Sequence, residues 1–258
     1  HASGIVVKDF SIKPSNWRSQ KTLEEFLKEQ GVMAISGINT RQITKIIREK
    51  GSMSCCIASL GLISESEALQ KAKAFSGLEG LDLAKKVSSS DSYKWNEGVW
   101  PSYTEAKKTI GPIVAYDFGI KTNILRLLSD YVGKVYVVNA KTSFEEVMKL
   151  NPSGIFLSNG PGDPEPCTYA IENIRKFLDI KIPIFGICLG HQLLAIAGGA
   201  KTHKMKFGHH GANHPVQNIE TKEVMITSQN HGFAVDTNSL PSNIKVSYIS
   251  LFDQSLQG

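Results

Sequence analysis

The sequence is poor in the features that mark secreted, membrane-spanning and nucleotide-binding chains. Four cysteines in 258 residues make no disulfide framework, because Cys55 and Cys56 are adjacent while Cys167 and Cys188 stand alone. That usage suits a reducing compartment, so the cytoplasm or an organelle matrix is expected, with the cytoplasmic reading preferred. No apolar run approaches the ~20 residues needed to span a membrane. The first ten residues, HASGIVVKDF, lack the basic segment that precedes the apolar core of a signal peptide. Charge of one sign is scarce as well. The net charge is +5, and the densest basic stretch, residues 201–206, has three lysines and no aromatic stacking platform. No nucleic-acid partner and no membrane partner are therefore expected. There is no G-x-x-x-x-G-K-[ST] phosphate loop, no internal repeat and no low-complexity tract.

What is present is a globular composition, with 41% hydrophobic and 21% charged residues. The length allows one large domain or two ordinary ones, at ~150 residues each. A core of that size folds without a disulfide or a metal. The pattern changes near residue 105, which predicts a smaller α+β domain over 1–105 with its linker, then a second domain over 106–258. In the first, Thr22 with Glu25 and Ser64 with Glu67 form capping boxes ahead of apolar positions. Thr40 is expected to cap a helix whose apolar face is Ile43, Ile46 and Ile47, ended by Gly51. Residues 32–35 read as a short strand. Residues 88–109 are polar with scattered aromatics and read as an interdomain connection.

The second part alternates strands and helices at short spacing. Strands are predicted at 113–116, 134–138, 154–157 and 182–185, and helices through Ile124, Leu127 and Leu128, after Ser143, at 168–178 and at 189–197. This predicts an α/β fold, a doubly wound and mostly parallel sheet with helices on both faces. Beyond Gly199 the pattern becomes short strands with turns, at 224–228 and 244–249. The chain starts almost directly in a strand-like run and stops after SLFDQSLQG, so a fragment of a longer chain is expected, incomplete at both ends.

Candidate chemistry concentrates at Gly186-Ile187-Cys188-Leu189-Gly190, between an apolar strand and a helix. G-x-C-x-G at that junction has the spacing of a nucleophile elbow, whose glycines make room for a sharp turn. The helix N-terminus would favour thiolate at Cys188, and the Leu189 amide would face an oxyanion. The alternative is a small buried cysteine packed between strand and helix. Residues 158–164, SNGPGDP, form a rigid loop after the preceding strand, and its Gly160 amide can supply a second oxyanion donor. An ordinary turn or a phosphate cradle are the alternatives there. Residues 229–233, QNHGF, can offer amides and an aromatic wall to a small polar substrate, but alone read better as a turn with a core Phe. His203, His209, His210 and His214 lie close in sequence and invite a zinc reading. Cysteine or carboxylate partners at ligand spacing are absent, which favours a structural polar network.

Taken together, FGICLGHQ and SNGPGDP resemble the nucleophile and oxyanion-loop motifs of the class I (triad) glutamine amidotransferases. MKFGHHGANHPV, QNHGFAV and SLFDQSLQG are similar to the small, glutamine-hydrolysing subunits of carbamoyl phosphate synthetase. So are SGINTRQITKIIREKGSMSCCI and GLDLAKKVS in the first half, a region that other amidotransferases lack. The resemblance implies that Cys188 attacks the glutamine side-chain amide and forms a γ-glutamyl thioester, releasing ammonia. It implies Gly160 and Leu189 as oxyanion donors, and Gly162, Gln192, Asn230, Gly232 and Phe233 as further contacts for L-glutamine. It implies a large synthetase subunit as partner, in a heterodimer or higher oligomer, using the ammonia with bicarbonate and ATP for arginine and pyrimidine synthesis. No cofactor and no metal are expected in this chain; ATP and magnesium belong on the large subunit. The family's catalytic His and Glu are expected in a G-H-P-E-type motif after residue 258, and its glutamine-holding serine upstream of residue 1. His191, three residues past Cys188 on the same helix, is expected to point away from the thiol, and His231 to serve the substrate loop.

Overall fold

The computed structural model describes residues 4–11, 13–59, 61–100 and 111–258. By their internal contacts these fall into two units, His1–Gly77 and Leu78–Gly258. The first has a two-stranded parallel sheet of β1 (Gly4–Val6) and β2 (Met33–Ile35), with helix α1 (Leu23–Glu29) between them in sequence. Helices α2 (Thr40–Lys50) and α3 (Glu65–Ala74) follow. Both capping boxes form as spaced: Thr22 and Ser64 accept the amides of Glu25 and Glu67, whose carboxylates return to the cap amides. At α2 the cap is Asn39, accepting from the Gln42 amide, and Thr40 is the first helical residue instead. Asparagine is among the strongest N-cap residues and stands one position earlier.

The second unit begins well before residue 105. That expected seam lies at 101–110, outside the described residues. Helix α4 (Ala84–Val87) and strand β3 (Tyr93–Trp95) belong to this unit, and β3 is an edge strand rather than part of a connection. Three residues are too few to show an alternating pattern; β3 exists because it pairs antiparallel with 135–137. Next come β4 (Ile113–Asp117), α5 (Thr122–Val132), β5 (Val135–Asn139), α6 (Phe144–Met148), β6 (Gly154–Leu157), α7 (Thr168–Asp179), β7 (Ile184–Gly186) and α8 (Leu189–Ala197). The sheet order is β3-β5-β4-β6-β7, parallel apart from β3.

Side chains alternate across this sheet and build a core on each face. Val114, Tyr116, Ile155 and Leu157 pack with Phe177 of α7 and with Leu189 and Leu193 of α8. Ala115, Val135, Val137 and Phe156 pack with Leu125 of α5. Both faces are covered, which makes the expected doubly wound α/β sheet. A second sheet follows, with β8 (Thr202–Asn218) between β9 (Val224–Val235) and β10 (Tyr248–Ser250). β9 runs through the QNHGF stretch that reads as a turn from sequence, and β10 is shorter than the predicted 244–249. The β8–β9 register shifts between Lys204 and His209 and again between Gly211 and His214. Gly208 and Gly211 have φ of 74° and 155° inside those irregular stretches, and such breaks hide the period of two.

Candidate functional site

The elbow forms at the carboxyl edge of the parallel strands. Cys188 sits between β7 and α8 with φ 54° and ψ −109°, a conformation that costs a non-glycine residue about 1–3 kcal/mol. Its neighbours hold it there. The Ile187 amide donates to Leu157 O at 3.0 Å, and the Gly190 amide to Ser158 O at 3.0 Å. Both flanking glycines are required by space. A Cβ on Gly186 would lie 2.5 Å from the Gly190 carbonyl carbon, and one on Gly190 would lie 2.1 Å from Leu157 O.

The SNGPGDP loop leaves β6 beside this turn. Ser158 Oγ accepts the Phe118 amide at 2.9 Å and donates to Asn159 O at 2.8 Å, while the Asn159 side chain bonds Gly119 O and the Lys121 amide. The loop is thereby fixed flat on residues 118–121. A Cβ on Gly160 would lie 2.2 Å from Phe118 O, so only glycine lets the two backbones approach this closely. The consequence reaches the thiol: the Leu189 and Gly160 amides both lie near enough to Cys188 to favour its charged form. Two backbone donors facing the Cys188 turn are the arrangement that stabilises charge on an oxygen formed beside the sulfur. The thiol itself departs from the sequence expectation. Burial pushes it above its ordinary value, and the two amides with Lys121 oppose that shift without reversing it. Desolvation outweighs the helix N-terminus here.

The hairpin closes the other side. Asn230 O lies 3.8 Å from Cys188 Sγ, and the Asn230 side chain bonds His210 Nδ1 at 2.7 Å. Buried Gln192 donates from Nε2 to Phe233 O at 2.8 Å, so it ties α8 to β9. His231 Nδ1 bonds the same carbonyl at 2.8 Å. A Cβ on Gly232 would lie 3.4 Å from Lys204 Nζ, and that ammonium sits 5.5 Å from the Phe233 ring centroid. Gly162, with φ 96°, faces Leu81 and Leu83 instead of the thiol. Cys188, Leu189, Gly160 and Asn230 thus surround one point, with Gln192 and Phe233 bonded to each other nearby. His191 has a buried Nε2 without a partner, and burial and then His231 push its titration down. Of the other thiols, Cys55 is exposed and Cys167 is buried. Burial, then Asp82, pushes Cys167 up to about 12.

The histidines pack as a network. The His209 ring lies 5.0 Å from His214 and 4.9 Å from His231. His209 bonds Gln229 Oε1 at 2.8 Å and Asp253 Oδ2 at 2.9 Å. Among the described residues no group of three or more His, Cys, Asp or Glu side chains is arranged to hold a metal ion. Asp253 was not a sequence candidate, although its segment SLFDQSLQG carried part of the resemblance. Burial alone would raise its carboxyl, but the Ser255 hydroxyl and amide, His209 and Ser250 hold it at about 2. A lowered carboxyl stabilises the fold above its ordinary value of 3.8, and that contribution is lost as pH falls from about 4 to about 2. Asp253→Asn should therefore lower the urea midpoint near neutrality, with the gap to the wild type closing across that acid window. A gap that stays constant with pH would contradict this assignment.

Known proteins resemble this chain over its whole length. The family model for Glutamine amidotransferase class-I matches residues 114–258. The model for Carbamoyl-phosphate synthase small chain, CPSase domain, matches residues 1–57. The chain is 54% identical over 264 residues to the carbamoyl phosphate synthase small chain of Yersinia pestis, covering 100% of this chain and 68% of that one. It is 54% identical over 263 residues to the one from Pseudomonas aeruginosa, covering 100% and 70%. Among solved structures it is similar to a glutamine amidotransferase from Thermotoga maritima, with a TM-score of 0.44 and 22% identity over 57% of this chain and 69% of that one. That likeness is too distant to add to the sequence matches. No helix among the described residues is long and apolar enough to cross a membrane.

Proposed function

The chain belongs to the family of carbamoyl phosphate synthase small chains, with a class I glutamine amidotransferase domain over residues 114–258, and from that premise we propose that Cys188 is its nucleophile. It is the glutamine-hydrolysing component of carbamoyl phosphate synthesis. The observation that carries the nucleophile reading is the turn at Cys188, with φ 54° and Gly160 packed closely against Leu189 beside it.

In the proposed reaction the Cys188 sulfur attacks the side-chain carbonyl carbon of glutamine as a general base takes its proton. The C=O pair moves to oxygen, and the Gly160 and Leu189 amides donate to that oxyanion. Collapse breaks the C–N bond, the proton goes to the leaving nitrogen, and ammonia departs from a γ-glutamyl thioester. Water then attacks the thioester carbon and releases glutamate, and the thiol is restored. Asn230 and Gly232 offer backbone groups to the substrate, Phe233 a wall, and Gly162 the bend that sets the oxyanion loop. Gln192 fits a double role, since its amide nitrogen is engaged by Phe233 O and its oxygen remains an acceptor. A diazo-ketone analogue of glutamine should label Cys188 and leave Cys167 untouched, as mass spectrometry of the digested protein can read. Labelling at Cys167 or Cys55 in its place would sink the assignment.

Membership among the small chains implies a large-subunit partner. In our reading the pair is at least a heterodimer, the ammonia is consumed on the large subunit, and ATP and magnesium bind there, with no cofactor in this chain. Co-expressed small and large chains should co-elute in gel filtration at micromolar concentration. Separate elution would count against a stable pair.

A further inference from the structure

We infer that residues 80–89 form a strap over the carboxyl ends of the parallel strands, and that Asp163 is a positioning residue that ties the oxyanion loop to it; this rests on the Cys188 reading above. The strap bonds successive strand ends. Ser89 N donates to Asp117 Oδ2 at 2.9 Å at the end of β4. Asn139 Nδ2 donates to Ser89 O at 2.6 Å, and the Ala140 amide to Ser88 Oγ at 2.8 Å, at the end of β5. After β6 the contact is made by Asp163, which is 5% exposed. Its Oδ2 accepts the Gly80 amide at 2.8 Å, its Oδ1 accepts the Glu165 amide at 3.0 Å, and its own amide donates to Leu81 O at 3.2 Å.

The strap in turn is stiffened by its own acid. Asp82, 8% exposed, accepts from the Lys85 amide at 3.1 Å and the Tyr169 hydroxyl at 3.3 Å, and pairs with Lys85 Nζ at 3.4 Å. It presses on the loop closely: a Cβ on Gly162 would lie 2.7 Å from Leu81 O and 3.0 Å from Leu83 N. The mechanical problem is plain. Ser158 and Asn159 anchor the start of the oxyanion loop to residues 118–121, but Gly162 is a swivel just past Gly160. Only a fixed point beyond the swivel holds the Gly160 amide beside Leu189 at the Cys188 turn, and Asp163 with the strap supplies it. A buried carboxylate suits the task because its two oxygens take two backbone donors at once.

The test uses the complete small chain assembled with its synthetase partner, as wild type, Asp163→Ala and Asp163→Asn. Cys188 is first titrated with the diazo-ketone analogue, so that rates refer to labelled sites and not to total protein. Then kcat and KM for glutamine are measured, with the inhibition constant of the aldehyde analogue of glutamine. The thiol adds to that aldehyde carbon, and its oxygen lands where the oxyanion would form. Asp163→Ala should lower kcat per titratable thiol by about 10–100-fold, as expected for a donor displaced by a fraction of an ångström to an ångström. KM should stay within about threefold, and aldehyde affinity should fall by the same factor as kcat/KM. Asp163→Asn keeps one acceptor oxygen and should fall between, which also gives a reading if the alanine variant does not fold. A merely structural role would lower the titratable fraction alone and overturn the inference, as would a loss confined to KM. If the wild-type thiol is not labelled, the nucleophile reading fails and this inference with it; labelling with unaltered turnover in the variants sinks the strap alone.

Discussion

Replacing Cys188 with serine should remove glutamine-dependent carbamoyl phosphate synthesis, by on the order of 10⁴-fold or more, and leave synthesis from free ammonia intact. The substitution changes one atom at a position whose backbone is held by its neighbours, so the elbow should survive it. The Ile187 and Gly190 amides keep their bonds to Leu157 O and Ser158 O whatever side chain stands between them. What is lost is the nucleophile. A hydroxyl is far less acidic than a thiol, and the burial that pushes the Cys188 thiol up would disfavour an alkoxide still more. The Leu189 and Gly160 amides would remain poised with no intermediate to serve. Ammonia bypasses this site, because the amide has no part in the later steps. Both assays on one purified complex make the measurement. A residual glutamine-dependent rate above about a hundredth of wild type would contradict covalent catalysis at this residue. A parallel loss of the ammonia-dependent rate would contradict the division of labour between the chains.

How much of this was legible in the sequence depends on whether the information is local. The α/β alternation, both N-terminal capping boxes and the helix 189–197 follow from short-range patterns, and the strand 154–157 appears within its predicted bounds. The elbow was legible because its cysteine and both glycines fall within one short stretch, although the Leu157 carbonyl that excludes a Cβ at Gly190 comes from β6. Strand β3 was not: three residues carry no period, and its partner is the distant 135–137. The β8–β9 hairpin was not, because two register shifts break the alternation that would reveal it. The thiol's upward shift was missed for a related reason. A helix N-terminus is visible in sequence, whereas the burial that outweighs it is a property of the assembled fold. Asp82, Asp163 and Asp253 were missed as well. The meaning of each comes from a partner far off in sequence, the Tyr169 hydroxyl for Asp82, the Gly80 amide for Asp163 and the His209 ring for Asp253, and an isolated aspartate in a sequence reads as surface.

Gly160→Ala should reduce glutamine turnover by about 10²–10³-fold, the effect of losing one oxyanion donor, with a much smaller effect on stability. The added Cβ would lie 2.2 Å from Phe118 O, 2.8 Å from Leu189 Cδ2 and 2.9 Å from Phe118 Cβ. The leucine methyl can move aside, but the Phe118 carbonyl cannot. Its segment is held by Ser158 Oγ on the Phe118 amide and by Asp117 Oδ1 on the Gly119 and Ile120 amides, both at 2.9 Å. The yielding part must be the loop itself, which lifts from residues 118–121 and carries the residue-160 amide away from the Cys188 turn. Asn159 and Asp163 keep the loop's two ends in place, so the displacement should stay local and the urea midpoint should move little. The signature is a fall in kcat with KM nearly constant, and weaker inhibition by the aldehyde analogue, because the lost bond is made to the tetrahedral oxygen and not to the bound amide. Cys188 should still be labelled by the diazo-ketone analogue. A variant that loses labelling and unfolds early would place Gly160 among the residues that hold the fold; one that turns over normally would leave Leu189 as the sole oxyanion donor of this chain's proposed pair.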